Sequence, residues 1–261
     1  MTALSVNLNK VALLRNARGG HAPSVTDAAE SVLGAGADGI TVHPRPDQRH
    51  IRPDDVLALA RLLESRSASR SDVEFNIEGN PFAGPRDNGY PGFDALIERA
   101  RPQQATLVPD ADNQLTSDHG FDLRGDNEAL IGKIRRYQGL GARVSLFMDP
   151  VLEQITLAQE IGADRVELFT GPFAEAVAEF GIDHPRSHAS LASYQAAARH
   201  AVELGLGVNA GHDLDVDNLP LFRRIAEVSE VSIGHALIAR ALDDGLIATV
   251  RAFRRALGGE S

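Results

Sequence analysis

One sequence pattern recurs along the chain: an amphipathic helical stretch, a glycine, a short turn and then an apolar run of strand length. A glycine just past a helix accepts the left-handed conformation that ends the helix, and a short loop then leads into a parallel strand. The pattern is clearest at 36–42, 141–146, 162–168 and 205–209. A chain built in this way is predicted to alternate helices with the strands of a parallel sheet.

Apolar runs of strand length occur eight times, which is the number of strands in a (β/α)₈ barrel. They lie near 4–9, 39–43, 73–78, 104–108, 143–148, 165–169, 206–210 and 230–235. No break in composition divides the 261 residues, so we expect one (β/α)₈ (TIM) barrel domain over 1–261, with extra loop and helical segments. The alternative is an open α/β sheet, but the glycine-rich fingerprint typical of that fold is missing after the first strand.

Helices are expected between these strands. Ser24 and Asp27 fit a capping box, and Pro53 followed by two aspartates fits the first turn of a helix. Further helical runs lie at 126–139, 151–161, 189–204 and 245–257. Long loops are expected at 79–92, 109–125 and 171–188, after strands 3, 4 and 6. These loops fall on the side of a barrel where catalytic residues lie.

Composition excludes several classes of protein. The chain has no cysteine, which rules out disulfides, thiolate catalysis and cysteine metal sites. A net charge of −10 argues against broad binding of nucleic acid. The first residues lack the apolar core of a signal peptide, and no apolar run is long enough for a membrane span, so a cytoplasmic location is expected.

Polar residues follow most of the predicted strands. In a barrel these strand ends converge on one mouth, so residues distant in sequence become neighbours, and an active site is the simplest explanation. The strand ends carry Asn7, Asn9, Lys10, His43, Arg45, Glu78, Asp149, Glu167, Thr170, Asn209, His212 and His235. Other histidines are expected in loops or on the surface: His21, His119, His184, His188 and His200.

Acid–base chemistry is the function that these strand ends favour. A lone histidine at a strand end is usually structural, but His43, His212 and His235 in one barrel favour catalysis. A buried Glu78 would cost several kcal/mol unless it were paired or protonated. Glu167 could face either the barrel interior or a helix. By residue type His43, Glu78 and His212 could also bind a metal, although these three do not stand in a close His-x-x-x-His spacing.

Phosphate binding has its own signal. The loops after strands 7 and 8 of barrels often bind phosphate through backbone N–H groups and a helix N-terminus. Here 209–212 and 234–238 place glycines in these loops, and Arg18 and Arg45 could add guanidinium groups. No acidic residue occurs before Asp27, whereas Lys10, Arg15 and Arg18 all precede it. Phosphorylated small molecules are therefore the expected substrates.

With these residues in place, the chain resembles the pyridoxine 5′-phosphate synthase family of deoxyxylulose-dependent vitamin B6 biosynthesis, essentially end to end. The blocks that carry the resemblance are Val6-Asn7-Leu8-Asn9, Leu14-Arg15-Asn16-Ala17-Arg18-Gly19, Gly36-Ala37-Asp38-Gly39-Ile40-Thr41-Val42-His43 with Arg45, Arg49-His50-Ile51, Leu107-Val108-Pro109, Gln114-Leu115-Thr116, Val144-Ser145-Leu146-Phe147, Thr170-Gly171, Val208-Asn209-Ala210-Gly211-His212 and Ile233-Gly234-His235-Ala236. So many separate blocks in order are highly specific.

The resemblance implies a ring-closing synthase of the transferase class. It would condense 3-amino-2-oxopropyl phosphate with 1-deoxy-D-xylulose 5-phosphate and release inorganic phosphate and water. It implies His43 and Glu78 as proton acceptors, His212 as a proton donor and Glu167 as a further carboxylate of interest. Neither a metal nor an organic cofactor is implied, and the implied assembly is a homo-oligomer, typically an octamer. Around the aminoketone phosphate it implies Asn7, Arg18, Asp213, Gly234 and His235, and around the deoxyxylulose phosphate Asn9, Lys10, Arg45, His50 and Thr116.

Three residues, in two places, depart from the more common form of this family. That form has an Asp-His pair where this chain has Asn9-Lys10, a change in local charge of roughly +2 with the histidine counted as neutral. It also has glycine where this chain has Asp213. Our hypothesis is that Lys10 contacts substrate charge and does not transfer a proton.

Two other functions fit the residues. A sugar-phosphate isomerase or epimerase would use His43, Glu78 and His212 as acids and bases, with or without a divalent metal. A non-catalytic barrel would only bind a phosphorylated metabolite or act as a scaffold. Loss of activity on chelation would indicate the isomerase class, and tolerance of replacements at these three residues would indicate the non-catalytic barrel.

Overall fold

The computed structural model describes residues 2–67 and 73–259. Eight parallel strands close into a barrel in chain order, with β8 paired to β1. This confirms the predicted (β/α)₈ barrel against the open sheet. The strands are β1 (Ala3–Asn7), β2 (Gly39–Val42), β3 (Glu74–Gly79), β4 (Gln104–Leu107), β5 (Arg143–Met148), β6 (Arg165–Phe169), β7 (Gly207–Gly211) and β8 (Val228–Ile233).

Helices surround the barrel and connect its strands. They are α1 (Asn9–Asn16), α2 (Val25–Gly34), α3 (Pro53–Ser67), α4 (Phe93–Ala100), α5 (Glu128–Gly139), α6 (Leu152–Glu160), α7 (Gly171–Phe180), α8 (Pro185–Glu203), α9 (Leu219–Phe222), α10 (His235–Asp244) and α11 (Leu246–Ala256). The side chain of Ser24 accepts a hydrogen bond from the backbone of Asp27, and Pro53 begins α3, as predicted. In the described part of the chain, no helix has the length and apolar character that crossing a membrane requires.

Glycines follow the helices at the positions that the recurring sequence pattern predicted. Gly36, Gly141, Gly162 and Gly205 all have positive φ, between 84° and 105°. This is the left-handed region in which a side chain is strained, so glycine is the natural residue at these turns. The backbone therefore leaves each helix abruptly and enters the next strand.

The predicted loop at 171–188 is wrong. It contains α7 and the start of α8. Pro172 and Pro185, which read as loop residues, stand in the first turns of these helices, where a missing N–H costs nothing. The predicted loops at 79–92 and 109–125 contain no helix, and no strand beyond Gly79.

Strands 1 and 8 end earlier than predicted. Asn9 and Lys10 belong to the first turn of α1, and His235 is the first residue of α10. Asn7 causes the first of these changes, because its Oδ1 accepts a hydrogen bond from the backbone N of Asn9 at 3.0 Å and turns the chain into α1. Two helix starts thus stand at the mouth of the barrel.

The apolar core lies between the barrel and its helices, whereas the barrel interior is polar. Outward strand residues such as Leu4, Val6 and Ile40 are fully buried against the helices. The buried polar strand residues are Ser5, Thr41, Asn76, Gln104, Thr106, Ser145, Glu167, Asn209, Glu230 and Ser232. Hydrogen bonds join them across the barrel in the sequence Ser5–Thr41–Asn76–Thr106–Glu167. Bulky branched residues usually fill this space, so the polar interior is a distinctive feature of this chain.

Candidate active site

A cavity of about 460 Å³ opens where the strands end. Of the strand-end residues, Asp149, Thr170 and Asn209 lie outside its lining. Every residue to which the resemblance assigns a role, except Arg18, lines the cavity, so the structure brings together residues from all parts of the chain. These residues are Asn7, Asn9, Lys10, His43, Arg45, His50, Glu78, Thr116, Glu167, His212, Asp213, Gly234 and His235. Arg18 lies in an exposed turn after α1, and its contact with substrate stays a prediction.

Hydrogen bonds near the start of α1 connect the ends of β1, β2 and β3 at the mouth of the barrel. Oδ1 of Asn7 accepts a hydrogen bond from the backbone N of Asn9, the first residue of α1, and Nδ2 of Asn7 donates to Oε2 of Glu78 at 3.2 Å. Oδ1 of Asn9 accepts a hydrogen bond from the backbone N of His43 at 2.8 Å. The side chains that precede and begin α1 thereby fix the ends of β2 and β3, which carry the predicted proton acceptors.

Glu78 is a buried carboxyl group at the end of β3. Its Oε1 accepts a hydrogen bond from Ser232 at 3.4 Å, and its Oε2 lies 4.0 Å from Nδ1 of His43. Burial, and then the negative charge of Asp110, raise the pKa of Glu78 to about 7. A carboxyl group with this pKa can both take up and release a proton near neutrality.

His43 and His50 are neutral at physiological pH. Burial, followed by the positive charges of Arg45 and Arg49, lowers the pKa of His43 to about 3. Burial, as the largest cause, lowers the pKa of His50 to about 3. The approach of His43 to Glu78 is therefore a contact of a neutral imidazole with a carboxyl group and not an ion pair.

Asp110 is a site residue that the sequence analysis missed. Its Oδ2 lies 3.9 Å from Nε2 of His43 and 3.1 Å from Nη1 of Arg45, and it accepts a hydrogen bond from Ser117 at 2.9 Å. Its Oδ1 is buried without a hydrogen-bond partner, and burial raises the pKa of the carboxyl group. The available signal was position, because Asp110 is the first ionisable residue after β4.

Glu167 faces the barrel interior, which decides the question that the sequence left open. Thr106 donates to its Oε2 at 3.4 Å. Burial, and then the charges of Glu78 and Glu230, raise the pKa of Glu167 well above its ordinary value. Glu167 therefore keeps its proton to a higher pH than an exposed glutamate does.

The loop between β4 and α5 crosses the mouth and is held by two arginines. Arg45 donates to the carbonyl of Ala111 at 3.0 Å, and Arg49 donates to the carbonyls of Gln114 and Leu115 at 3.1 and 3.2 Å. Thr116 of the same loop lies 2.8 Å from Nε2 of His212. The loop therefore connects the arginine side of the cavity to the end of β7.

The start of α10 borders the cavity. Gly234 is the N-cap residue, and no side chain caps the helix, so the backbone N–H groups of its first turn are available. A Cβ at this position would lie 3.1 Å from Cβ of Asn7, so the backbone approaches β1 closely. His235 follows as the first helical residue and also lines the cavity.

The histidines predicted to be peripheral lie outside the cavity lining. His184 caps α8 by accepting from the backbone of Arg186, and His200 lies 2.7 Å from Oγ1 of Thr156. His21, His119 and His188 are also outside the lining. Within residues 2–67 and 73–259, no group of three histidines or acids is arranged to hold a metal ion.

A family model for pyridoxal phosphate biosynthesis protein PdxJ matches residues 4–259. The chain belongs to this family. A pyridoxine 5′-phosphate synthase from Xanthomonas campestris pv. campestris (strain B100) is 55% identical over 259 residues, with 99% of this chain and 97% of that protein covered. One from Xylella fastidiosa (strain M12) is 52% identical over 254 residues, with 97% and 93% covered.

Solved structures outside the PdxJ family share the barrel. Tryptophan synthase from M. tuberculosis superposes with a TM-score of 0.60 at 12% identity, covering 98% of this chain and 92% of that one. Phosphoribosyl anthranilate isomerase from Thermus thermophilus gives a TM-score of 0.57 at 16% identity, covering 98% of each chain. At these identities the likeness concerns the fold alone.

Proposed function

We propose that this PdxJ family member is a pyridoxine 5′-phosphate synthase. It condenses 3-amino-2-oxopropyl phosphate with 1-deoxy-D-xylulose 5-phosphate to give pyridoxine 5′-phosphate, inorganic phosphate and water. The observation that carries the proposal is the convergence of His43, Glu78 and His212 on one cavity, in a chain whose relatives at 52–55% identity bear this name.

Ring closure needs proton transfers at several atoms, because imine formation, enolisation and elimination all move protons. Glu78 suits this task, since its pKa of about 7 lets the carboxyl group exchange protons near neutrality. His43 and Glu78 act as proton acceptors and His212 as a proton donor. Each positioned acid or base contributes roughly 10²–10⁴-fold in rate, and holding two substrates together adds more.

Substrate binding would make His43 a stronger base. The charges of Arg45 and Arg49 help to hold the pKa of His43 at about 3. A phosphate dianion placed beside these arginines would oppose their positive field, so the imidazole would accept a proton more readily once the deoxyxylulose phosphate is bound. Proton abstraction would then follow substrate binding and would not occur in the empty site.

Two phosphate sites are needed, and the cavity offers two. The first lies at the start of α10, where Gly234 and the free N–H groups would hold the aminoketone phosphate. The second lies among Lys10, Arg45 and His50, which would hold the deoxyxylulose phosphate. Their separate positions would place the two reacting carbon chains between Glu78 and His212.

The test is a mixing assay with purified protein from which metal has been stripped. Deoxyxylulose phosphate and freshly generated aminoacetone phosphate are added, and the absorbance of the pyridine product is followed together with phosphate release. We expect both products in equal amounts, and we expect Glu78→Gln to lower kcat at least about 100-fold. Glu203→Gln, on the exposed end of α8, is the matched control and should leave the rate unchanged.

A folded protein that binds phosphate ligands but forms neither product would contradict the proposal. Activity that appears only when a divalent metal is returned would indicate an isomerase or epimerase instead. Homo-octameric assembly and a cytoplasmic location are also proposed. Sedimentation of the purified chain tests the first, and fractionation of the source cells tests the second.

A further inference from the structure

The turn after β7 has an unusual backbone. His212 has φ 88° and Asp213 has φ 58°, two consecutive left-handed residues that carry side chains. Such residues cost about 1–3 kcal/mol each and persist only where neighbouring contacts hold them. Thr170 donates to the carbonyls of Gly211, at 2.7 Å, and of His212, and Asn218 donates to the carbonyl of Asp213 at 3.0 Å. The turn is thus anchored on both sides.

This backbone places the two side chains against each other. Nδ1 of His212 lies 2.8 Å from Oδ2 of Asp213, and Nε2 lies 2.8 Å from Oγ1 of Thr116. The ring of Phe169 meets the imidazole edge-on, with centroids 5.2 Å apart. Both ring nitrogens and one side of the ring are therefore fixed before any substrate arrives.

The carboxylate decides which nitrogen keeps its proton. The hydrogen bond from His212 is the largest influence that lowers the pKa of Asp213, and the charges of His235 and Lys10 act in the same direction. An ionised carboxylate can only accept hydrogen bonds, so Nδ1 of His212 has to be the donor. The proton that comes and goes is then the one on Nε2, the nitrogen beside Thr116.

We propose that Asp213 is a positioning residue that keeps Nδ1 of His212 protonated and thereby makes Nε2 the atom that transfers a proton to the substrate. This inference rests on the proposed function and revises the expectation that Asp213 contacts the aminoketone phosphate. A carboxylate beside a phosphate would repel it, whereas a carboxylate behind an imidazole stabilises the protonated ring that a proton donor requires.

The departures from the common form of the family fit this role. That form has an acid where this chain has Asn9, and glycine where this chain has Asp213. One acid is thus absent from the α1 side of the mouth and one is present on the β7 side. The positive charge of Lys10, which is also a departure from the common form, acts on Asp213. The three substitutions therefore remove an acid at Asn9, add an acid beside His212 and add a cation at Lys10.

The experiment uses two variants that tolerate a left-handed backbone, Asp213→Asn and Asp213→Gly. The first readout is the ¹⁵N NMR signal of the His212 ring in the protein without substrate, assigned by its loss in His212→Gln. We expect a protonated Nδ1 in the wild type at neutral pH and a shift toward the Nε2-protonated form in Asp213→Gly. Asp217→Asn, on the exposed part of the same loop, is the control and should leave the signal unchanged.

The second readout separates kcat from KM. We expect Asp213→Asn to lower kcat by at least about 10-fold, because the tautomer is no longer enforced, with either KM changed less than about 3-fold. A changed KM for the aminoketone phosphate with kcat retained would overturn the inference and return Asp213 to substrate contact. An unchanged ¹⁵N signal in Asp213→Gly would also overturn it. The NMR result stands without activity, so failure of the proposed function is distinguished from failure of this inference.

Discussion

Lys10 brings an ammonium group to a cavity that Arg45 and Arg49 also line. It stands in the first turn of α1, on a flexible stem that can follow a bound anion. An ammonium group beside other cationic groups suits contact with a phosphate or a developing oxyanion. Lys10 lines the cavity, and its contact with substrate charge stays a prediction.

Lys10→Met tests that hypothesis, because methionine keeps the apolar stem and removes the charge. We expect KM for deoxyxylulose phosphate to rise about 10-fold or more, since a hydrogen bond to a charged group contributes about 1.5–3 kcal/mol. The fall in kcat should be smaller. Steady-state kinetics with each substrate varied in turn provide the measurement, and Lys10→Arg should restore most of the affinity. A large fall in kcat at unchanged KM would defeat the hypothesis.

Single residues of the site were predictable to the extent that they end strands. Glu78 and His212 could be named because barrel strands converge, and the residues at their ends share one mouth. Asp110 was missed because it acts through a neighbour: its contacts are with His43 and Arg45, and such pairings depend on side-chain positions that one sequence does not contain. The direction of the Glu167 side chain was undecided for a similar reason. Side chains alternate between the two faces of a strand, but the alternation alone does not show which face points into the barrel.

Helices were predicted well where one face was clearly amphipathic. They were predicted poorly where glycine and proline residues suggested a loop. The error at 171–188 followed from reading Gly171-Pro172 and Gly181 as loop signals. Phe173 and Val177, four residues apart and both buried, carry the helical period within that segment. Proline is common both in loops and in the first turn of a helix. The spacing of hydrophobic residues is therefore needed to distinguish a helix from a loop at such a proline.

Two glycines test how far local backbone rules hold in these elements. Gly132 lies exposed within α5 with no atom near an added Cβ, so Gly132→Ala should stabilise the fold by about 0.5–1 kcal/mol. Gly211 ends β7, where a Cβ would lie 2.5 Å from Oε1 of Glu167, so Gly211→Ala should destabilise the fold by about 1–3 kcal/mol. Thermal unfolding of both variants against wild type is the measurement. The same sign for both would contradict the argument.

For the whole molecule, the barrel followed from repetition, but its polar interior did not. The glycine-ended helices and eight apolar runs specify a closed parallel barrel whichever residues fill it. Ser5, Thr41 and Asn76 were visible in the strands, yet they read as ordinary exceptions in short apolar runs. The structure joins these three residues by hydrogen bonds, which satisfy polar groups that would otherwise be costly to bury.

A second group of hydrogen bonds in the barrel interior includes Glu230 on β8, whose Oε1 accepts from Asn209 at 3.3 Å and Gln104 at 3.5 Å. Burial, and then the charge of Glu74, raise the pKa of Glu230 to about 8. An unfolded glutamate titrates near about 4.3. Between these values the folded chain holds a proton at this residue that the unfolded chain has lost, so the contribution of Glu230 to stability falls as pH rises.

Glu230→Gln removes the ionisation and keeps the acceptor oxygen, so its stability relative to wild type should depend on pH. We expect similar free energies of unfolding near pH 4.5 and a growing advantage for the variant up to about pH 8, by at most about 1.4 kcal/mol per pH unit. Urea unfolding at several pH values measures the difference, with Glu175→Gln on the exposed face of α7 as the control. Parallel pH profiles for Glu230→Gln and wild type would mean that the barrel interior takes up no proton at this residue on folding.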